Sequence, residues 1–266
     1  MINVLLTCIN YNSYKELNKF LESVEYAYQA MRKMNLLVCI ADNSSNKEVV
    51  KLDKYSFDCL YFPFDNVGYF GGATGVFDML PNINKYDYVI ISNVDLVLDQ
   101  QIFKNLSPNK DDKLAWISPS ILSSFENRDK GLGLSHRPSK LKLVLLTIMF
   151  RFPWLLYLVK NTIYKRKSLI QKKYDHEKII YSGHGSFIIL TNIFFHTYPN
   201  WHYPMFLFGE ELFLGELIHR KGLKVIYNPR LKIYDSEHVS TSQMPSTFSC
   251  KCQYDSISFI LRTFYN

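Results

Sequence analysis

The stretch IISNVDLVL, residues 90–98, puts one carboxylate at the point where a buried strand ends. Residues 88–91 have the continuous apolar pattern of a core strand in a parallel sheet. Asp95 would be costly inside such a strand, but at its carboxyl end it faces the crevice where open α/β sheets bind ligands. Asn93 lies two residues earlier and points the same way. The pair predicts an oxygen-rich site for a hard divalent cation, with turn capping by Asp95 as the structural alternative.

Charge is unevenly distributed along the 266 residues. The chain has 31 Lys and Arg against 24 Asp and Glu, a net charge of +7. Residues 130–174 hold 11 of the basic residues and no acidic one, so the remaining 20 basic residues are outnumbered by the 24 acidic ones. Nucleic-acid-binding proteins usually spread basic charge over a folded face. The concentration in one segment therefore argues against nucleic acid and for a local partner.

The five cysteines indicate a reducing compartment. An odd number without a disulfide framework is typical of cytoplasmic proteins, and Cys8 and Cys39 fall in predicted core strands. Cys250 and Cys252 lack a second ligand pair for zinc. Residues 1–6 have neither the basic nor the long apolar region of a signal peptide and are predicted to form the first strand. We therefore expect a cytoplasmic protein.

Strands and helices alternate along the first half of the chain. The predicted strands cover 4–9, 36–41, 60–63 and 86–92, and the predicted helices cover 14–34, 47–52 and 73–80. Ser13 and Glu16 have the spacing of a capping box at the start of the first helix. Such alternation predicts right-handed crossovers and a mostly parallel sheet with helices on both faces, an α/β fold.

Polar residues follow each of the four predicted strands. They are Asn12, Asp42, Asn66 and Asp95. Each alone would be an ordinary turn residue, but the carboxyl ends of parallel strands meet at one edge, so we expect the four to converge on one crevice. The alternation stops after residue 119 and resumes at 178, with apolar strands at 187–190 and 223–227 and a helix at 212–220. Pro229 is predicted to end the last strand.

Eight short motifs occur in the order in which glycosyltransferase family 2 has them. They cover residues 8–13, 40–45, 66–72, 92–95, 185–190, 206–211, 222–229 and 237–240. The chain resembles this family over most of 3–240 apart from the basic insertion. It is most similar to the bacterial rhamnosyl- and galactofuranosyl-transferase-like branch, where Asn replaces the first Asp of the metal motif. The resemblance implies a GT-A fold with a Rossmann-like sheet, and inverting transfer of a sugar from a nucleotide-diphosphate donor.

The resemblance assigns the first four motifs to the donor. The implied donor-binding residues are Asn10, Tyr11, Asn12, Asp42, Asn66, Gly68, Gly71, Gly72, Asn93 and Asp95. Asp42 is expected to accept hydrogen bonds from a base or ribose, and the glycines to let the backbone approach the donor. Asp95 and His238 are expected to bind Mg²⁺ or Mn²⁺, which neutralises the departing diphosphate. Capping a loop is the alternative role for His238.

Glu210 and Glu211 are the candidate catalytic residues. Displacement at the anomeric carbon needs a carboxylate to take the proton of the acceptor hydroxyl, and adjacent glutamates raise one another's pKa. Glu211 stands where the family has its catalytic Asp, with a side chain one methylene longer. Phe213 and Leu217 stand where the family has Asp and Arg, so which glutamate acts stays open. The alternative is an acidic helix N-terminus favoured by the dipole.

Three further residues are expected on the acceptor side. His184 and Gly185 lie beside the acceptor-side strand, where the imidazole would contact a hydroxyl or a phosphate. Trp201 lies in an aromatic loop that would stack on a sugar. A structural histidine and a packed aromatic loop are the alternatives.

The basic insertion is predicted to form amphipathic helices. Its uncharged stretches, 143–150 and 152–159, are shorter than the roughly 20 residues that span a bilayer. Pro153 predicts two short helices that meet at an angle. An apolar face with Trp154 and a basic rim is typical of a helix in the plane of an anionic membrane surface. A helical hairpin packed on the same chain or on a dimer partner is the alternative.

The sequence thus predicts four parts: a nucleotide-sugar-binding half (1–129), membrane-associating helices (130–174), an acceptor-binding and catalytic half (175–240) and a helical tail (241–266). The predicted function is that of a metal-dependent hexosyl- or rhamnosyltransferase peripheral on the inner face of the plasma membrane. Its acceptor would be lipid-linked or an oligosaccharide, in the synthesis of a surface polysaccharide such as O-antigen or capsule. A homodimer stays open. The alternative from another class is a non-catalytic, membrane-peripheral nucleotide-sugar-binding protein.

Overall fold

A computed structural model of the chain describes residues 1–31, 33–123, 126–154, 174–235 and 247–266. Within these ranges the chain builds one ten-stranded mixed sheet. The strands are β1 (Ile2–Asn10), β2 (Met34–Asp42), β3 (Asp58–Pro63), β4 (Tyr88–Asn93), β5 (Leu96–Leu98), β6 (Leu114–Ser123), β7 (Arg128–Asp129), β8 (Lys178–Ile180), β9 (Phe187–Thr191) and β10 (Lys224–Asp235). The helices are α1 (Tyr14–Ala30), α2 (Tyr69–Met79), α3 (Lys140–Arg151), α4 (Asn192–Thr197), α5 (Glu210–Arg220) and α6 (Thr247–Phe264), with a 3₁₀ turn at Ile83–Lys85.

The strand order is β3-β2-β1-β4-β9-β6-β10-β5, with β7 paired to β6 and β8 to β10. The first four strands along this order are mutually parallel. β9 then runs antiparallel to both β4 and β6, while β10 runs parallel to β6. The carboxyl ends of β1, β2 and β4 therefore share one edge, and the start of β9 meets the end of β4 there.

The sheet is covered on both faces. One core packs α1 against the inner side chains of the first strands, and a second core on the other face contains residues of α2, α4, α5 and α6. A central strand covered on both faces needs apolar residues at nearly every position, which is why β1, β2 and β4 read as continuous apolar runs. The predicted α/β class, with a mostly parallel sheet and helices on both faces, is confirmed.

The helix predicted at 47–52 does not form. Instead the ammonium group of Lys47 donates to the carbonyl oxygens of Asp42 (2.9 Å), Phe64 (2.7 Å) and Ser44. These bonds tie the segment to the ends of β2 and β3. The helix prediction was wrong because the Lys47 ammonium group bonds three carbonyl oxygens at and just after the strand ends, and these bonds hold the segment in an irregular conformation.

Three boundary predictions were also wrong. α1 ends at Ala30, since β2 already begins at Met34. The capping box is absent, because the Ser13 hydroxyl donates to the Tyr11 carbonyl oxygen (3.1 Å) and caps no helix amide. β10 runs through Pro229 to Asp235, with a register shift between Asn228 and Lys232. A proline is tolerated at such a bulge because no ladder hydrogen bond is needed from its nitrogen.

The insertion and the tail pack on each other. α3 lies along α6, and the side chain of Leu143 is buried at this contact. The tail is helical as expected, with α6 at Thr247–Phe264. The second helix predicted after Pro153 falls mostly outside the described residues. In the ranges that the structure covers, no helix has both the length and the apolar character required to cross a bilayer.

Candidate active site

Asp42 is the centre of a hydrogen-bond network at the end of β2. Its buried carboxylate accepts bonds from the hydroxyls of Tyr14 (2.6 Å), Tyr61 and Ser44 and from the side-chain amide of Asn10 (3.1 Å). Burial alone would raise the pKa of Asp42, but the bonds from Ser44, Tyr14 and Tyr61 outweigh it and lower that pKa below its ordinary value. Both oxygens accept protein hydrogen bonds, so a direct contact between Asp42 and a nucleotide stays a prediction.

The loop after β1 is joined to the loop after β2. Asn12 adopts a left-handed conformation (φ 52°), and its backbone amide donates to the Ser44 hydroxyl (2.7 Å). Its side-chain oxygen accepts from the amide of Ser45 (3.2 Å). Asn10 is buried below this loop, whereas Tyr11 and Asn12 are exposed. The exposed pair is thus the part of the first motif that a ligand can reach.

The glycines after β3 are required by the protein's own packing. Gly68 has φ +81°, and a Cβ there would lie 1.9 Å from the carbonyl oxygen of Phe206. A Cβ on Gly72 would lie 3.3 Å from the side chain of Asn43, and one on Gly71 would lie 3.2 Å from Val67. We expected these glycines to make room for a donor, but the atoms that crowd them belong to the chain itself. Their donor-binding role stays a prediction.

The close approach at Gly68 fixes where the next residue lies. The N-terminus of α2 rests on residue 206, four residues before the start of α5. Asn66, which is exposed, accepts from the Gly68 amide at 3.4 Å and steadies the turn. Tyr69 is the first residue of α2, and its ring stacks on Phe70 (5.6 Å between ring centroids).

The negative charges of three carboxylates act on the Tyr69 phenol. Burial raises the pKa of Tyr69 well above its ordinary value, and the negative charges of Glu210, Asp95 and Glu211 raise it further. Asp95 comes from the turn between β4 and β5, whereas the two glutamates come from the first turn of α5. The structure therefore brings together the metal-motif aspartate and the candidate base, which are more than 100 residues apart in the chain.

Glu210 is the buried member of the acidic pair. Glu210 is only 6% exposed. Burial, and then the charge of Glu211, raises the pKa of Glu210 to about 8, although backbone amides of Glu210 and Phe208 act in the opposite direction. At neutral pH this carboxyl group is therefore mostly protonated and uncharged.

Glu211 points toward the loop between β8 and β9. One of its carboxylate oxygens lies 3.3 Å from where a Cβ on Gly185 would be, so the absence of a side chain at residue 185 leaves room for it. Glu211 is only partly buried. The two glutamates thus differ in environment: one is enclosed beside Tyr69, and the other borders the predicted acceptor side.

His184 is a neutral imidazole beside this acceptor side. Its Nδ1 accepts the backbone amide of Ser186 (3.2 Å) and lies 2.9 Å from the hydroxyl of the same residue. Nε2 therefore carries the proton. Burial lowers the pKa of His184, the positive charge of Lys130 lowers it further, and the negative charges of Glu211 and Asp235 act in the opposite direction.

The metal motif and the acceptor-side loop are directly bonded. The backbone amide of Asn93 donates to the carbonyl oxygen of Ser186 (2.9 Å). This bond sets the half-buried Asn93 and Asp95 next to residues 184–186. Among the residues that the structure describes, no group of three His, Cys, Asp or Glu side chains converges as a metal site. His238, the other predicted ligand, lies outside those residues.

Trp201 packs into an aromatic cluster. Its ring centroid lies 5.3 Å from that of Phe70, 5.6 Å from Phe194, 6.4 Å from Phe213 and 6.5 Å from Phe77. The ring is only partly exposed. This is the packed aromatic loop that the sequence left open as an alternative, and contact with an acceptor stays a prediction.

Several residues of the site were missed by the sequence analysis. Tyr14 and Tyr61 hold Asp42, Lys47 binds the strand ends, and Ser186 orients His184. Their partners are distant in the chain or have no motif. Tyr69 was within reach, because it lies inside the glycine-rich motif and is the one aromatic residue there that carries a hydrogen-bonding group.

Comparisons with known proteins identify the fold. No family model matches the chain, and no curated protein matches it in sequence. Among solved structures, it is similar to a crystal structure of GalNAc-T7 with UDP, GalNAc and Mn²⁺, with a TM-score of 0.61 and 12% sequence identity. The similarity covers 100% of this chain and 49% of the other, so the chain spans about half the length of GalNAc-T7. The chain therefore has the GT-A fold.

Proposed function

We propose that this protein is a glycosyltransferase that uses a nucleotide-diphosphate sugar and inverts the anomeric centre. The observation that carries the proposal is that the charges of Asp95, Glu210 and Glu211, from two distant parts of the chain, act on one phenol, that of Tyr69, at the carboxyl edge of the sheet. Open α/β sheets bind ligands at this edge. The order of the eight motifs supports inversion, whereas the GT-A fold supports glycosyl transfer in general; GalNAc-T7, which shares the fold, was crystallised with UDP, GalNAc and Mn²⁺.

Asp95 and Asn93 are the proposed ligands of a divalent cation at the donor diphosphate. Their oxygens suit Mg²⁺ or Mn²⁺, and Mg²⁺ is commonly held by one or two carboxylates together with substrate phosphates and waters. The residues present fit such an ion without a three-residue cluster. When bound, the ion would neutralise charge on the departing diphosphate. His238 stays a proposed third ligand.

Glu211 is the proposed base, and Glu210 its uncharged neighbour. A carboxyl group with a pKa of about 8 is mostly protonated at pH 7 and cannot take a proton there. Glu211 is partly exposed and borders Gly185, on the side where an acceptor would enter. The acceptor oxygen attacks the anomeric carbon, its proton passes to Glu211, and the bond to the diphosphate breaks with its electron pair on the leaving group.

His184 and Gly185 are proposed to contact the acceptor. The Nε2 proton of His184 is a fixed donor because Nδ1 is already bonded to Ser186. The imidazole stays neutral at physiological pH, since its pKa is lowered. It would therefore orient an acceptor hydroxyl rather than remove its proton.

The acceptor is proposed to be lipid-linked, because α3 carries an exposed apolar stripe. Leu141, Leu145, Ile148 and Phe152 are spaced by four, three and four residues and are all exposed, while Leu143 packs inward. Trp154 beyond them is also exposed, and in the sequence the stripe lies within the basic segment 130–174. A basic amphipathic helix of this kind lies on an anionic membrane surface. This would place the enzyme on the inner face of the plasma membrane, in synthesis of a surface polysaccharide.

The membrane contact is tested by sedimentation with vesicles that contain anionic lipid. Leu145→Glu combined with Ile148→Glu should release the protein, since two carboxylates would enter the apolar boundary. Tyr26→Glu, an exposed aromatic position on α1, is the matched control and should stay bound. Equal binding of the double variant and the control would refute the membrane role of α3 without touching the assigned chemistry.

The function is tested by thermal shift and product analysis with UDP-, dTDP- and GDP-sugars in the presence of Mn²⁺. We expect one nucleotide class to raise the melting temperature and to be slowly hydrolysed to the nucleoside diphosphate. Asp95→Ala should lose the Mn²⁺-dependent part of the shift. Glu211→Gln should keep the shift and lose turnover. No shift and no hydrolysis with any donor would contradict the proposal.

A non-catalytic nucleotide-sugar-binding protein is the second candidate. Phe213, where the resembled family has a charged residue, is buried, and its ring lies 4.8 Å from that of Tyr203 and 5.9 Å from that of Phe264. That position contributes to the core and not to the site. A protein that binds a donor in calorimetry but never hydrolyses or transfers it would favour this candidate.

A further inference from the structure

The Tyr69 hydroxyl is buried and has no hydrogen-bond partner among the described residues. This is unusual, because buried polar groups are nearly always paired. Three other buried phenols among the described residues are paired: Tyr181 donates to Glu216 (2.7 Å), Tyr203 to the Phe208 carbonyl (2.6 Å) and Tyr227 to Asp129 (2.6 Å). The unpaired Tyr55 hydroxyl lies just before β3, at the amino ends of the strands, with Lys54 over its ring.

The position of Tyr69 is set by the backbone and not by its hydroxyl. Gly68 packs so closely against the Phe206 carbonyl that no Cβ would fit there, and the Tyr69 ring stacks on Phe70. Phe70 in turn makes edge contacts with Trp201 and Tyr203. The phenol is therefore held in place although its oxygen contributes no internal bond, which is the arrangement expected of a group that meets a ligand.

The surroundings of the hydroxyl select the kind of ligand. Asp95, whose charge acts on the phenol, is the proposed ligand of the cation at the diphosphate, and Glu211 borders Gly185 on the proposed acceptor side. The group that passes between them in the proposed reaction is the sugar. Three neighbouring carboxylates disfavour a second anion beside the phenol, whereas a sugar hydroxyl is neutral and accepts a hydrogen bond.

We propose that the Tyr69 hydroxyl donates a hydrogen bond to a hydroxyl group of the sugar being transferred, and so contributes to the choice of donor sugar. The proposal rests on the proposed function and adds a residue that binds the sugar. A site built to bond a hydroxyl discriminates against a sugar that lacks it, because its own polar group is then left unpaired. Tyr69 is thus a substrate-contacting residue that the motif pattern does not single out.

The test is Tyr69→Phe, which removes one oxygen and keeps the ring. Because that oxygen has no internal partner, the melting temperature should be unchanged or higher. Tyr203→Phe is the matched control, since its hydroxyl bonds the Phe208 carbonyl and its loss should lower the melting temperature. The kcat/KM for the donor that turns over should fall about 2- to 12-fold, the effect of one neutral hydrogen bond. The affinity for UDP, dTDP or GDP alone should not change.

Deoxy-sugar donors identify the hydroxyl. The wild type should lose kcat/KM on the analogue that lacks the contacted hydroxyl, and Tyr69→Phe should show no further loss on that analogue. Three results would overturn the inference: equal kcat/KM of wild type and variant on every donor, an equal loss of affinity for the nucleoside diphosphate alone, or a lower melting temperature of Tyr69→Phe. If the wild type neither binds nor hydrolyses any donor, the proposed function itself fails. If the wild type turns over a donor but one of these three results is obtained, only the role of Tyr69 fails.

Discussion

Replacing Glu210 by Gln should change how the stability of the protein depends on pH. The side chain is buried at the first turn of α5, and its pKa is raised from an ordinary 4.5 to about 8 by burial and by the charge of Glu211. Gln has nearly the same shape but does not titrate. The substitution therefore removes a proton-binding group from the core while leaving the packing around Tyr69 in place.

The sign of this pH dependence follows because the pKa of Glu210 is higher in the folded chain than in the unfolded chain. The folded chain then holds the proton more tightly, so the stabilising effect of protonation is complete below about pH 4.5 and is lost as the pH rises to about 8. At about 1.4 kcal/mol per pH unit, the wild type should lose on the order of 3 kcal/mol between about pH 5 and pH 8 through this group. Glu210→Gln should lack this loss.

The assay is urea unfolding at a series of pH values, with free energies compared between wild type and variant. The difference in unfolding free energy should grow in favour of Glu210→Gln up to about pH 8 and then level off. Glu211→Gln is the matched control on the same helical turn. It removes the second cause of the raised pKa at Glu210, so it should keep a pH-dependent loss with its upper limit moved to lower pH.

A constant difference between wild type and Glu210→Gln across this range would refute the reasoning. It would mean that the carboxyl group at residue 210 titrates alike in the folded and unfolded chain. The assignment of Glu211 as the base would then lose its electrostatic support, because the carboxyl group of Glu210 could itself take a proton at neutral pH.

Two further predictions concern the framework of the site. Gly68→Ala should destabilise the protein by well over 1 kcal/mol and weaken donor binding, because the added Cβ would collide with the Phe206 carbonyl. The control is Gly222→Ala, also at positive φ (+63°) but with nothing within 4 Å of the added Cβ, which should cost only about 1 kcal/mol. Equal melting temperatures of the two variants would contradict the role of the close approach at Gly68. Arg137→Met should cost about 3 kcal/mol, because it leaves the buried carboxylate of Glu216 without its ion pair (2.8 Å). Lys224→Met, which loses a pair with the partly exposed carboxylate of Asp111, should cost much less in urea unfolding. An equal response of the two would show that burial of the carboxylate does not set the cost.

The sheet could be predicted because its central strands obey a simple physical requirement. β1, β2 and β4 are covered on both faces, so nearly every residue is apolar and the runs stand out in the sequence. The residues that end these strands are polar, and parallel pairing brings them to one edge. In the structure the charges of Asp95 and of the Glu210–Glu211 pair act on the same phenol, that of Tyr69.

The details of the site could not be predicted because they depend on partners far apart in the chain. No sequence pattern around Asp42 indicates that the hydroxyls of Tyr14 and Tyr61 donate hydrogen bonds to its carboxylate. The glycine at 68 is explained only by residue 206, which folding brings against it. Which of two adjacent glutamates is buried depends on the rotation of α5 on the sheet, and the sequence of the helix alone leaves that rotation open.

We propose that one pocket holds the donor between Asp95 and Glu211, and a crystal structure with Mn²⁺ and a bound nucleotide sugar would show whether it does. The anomalous signal of Mn²⁺ should lie within coordination distance of the Asp95 carboxylate, with the sugar beside the Tyr69 hydroxyl and its anomeric carbon facing Glu211. A nucleotide sugar bound on another surface, with Asp95 and Glu211 contacting neither ion nor sugar, would contradict the claim.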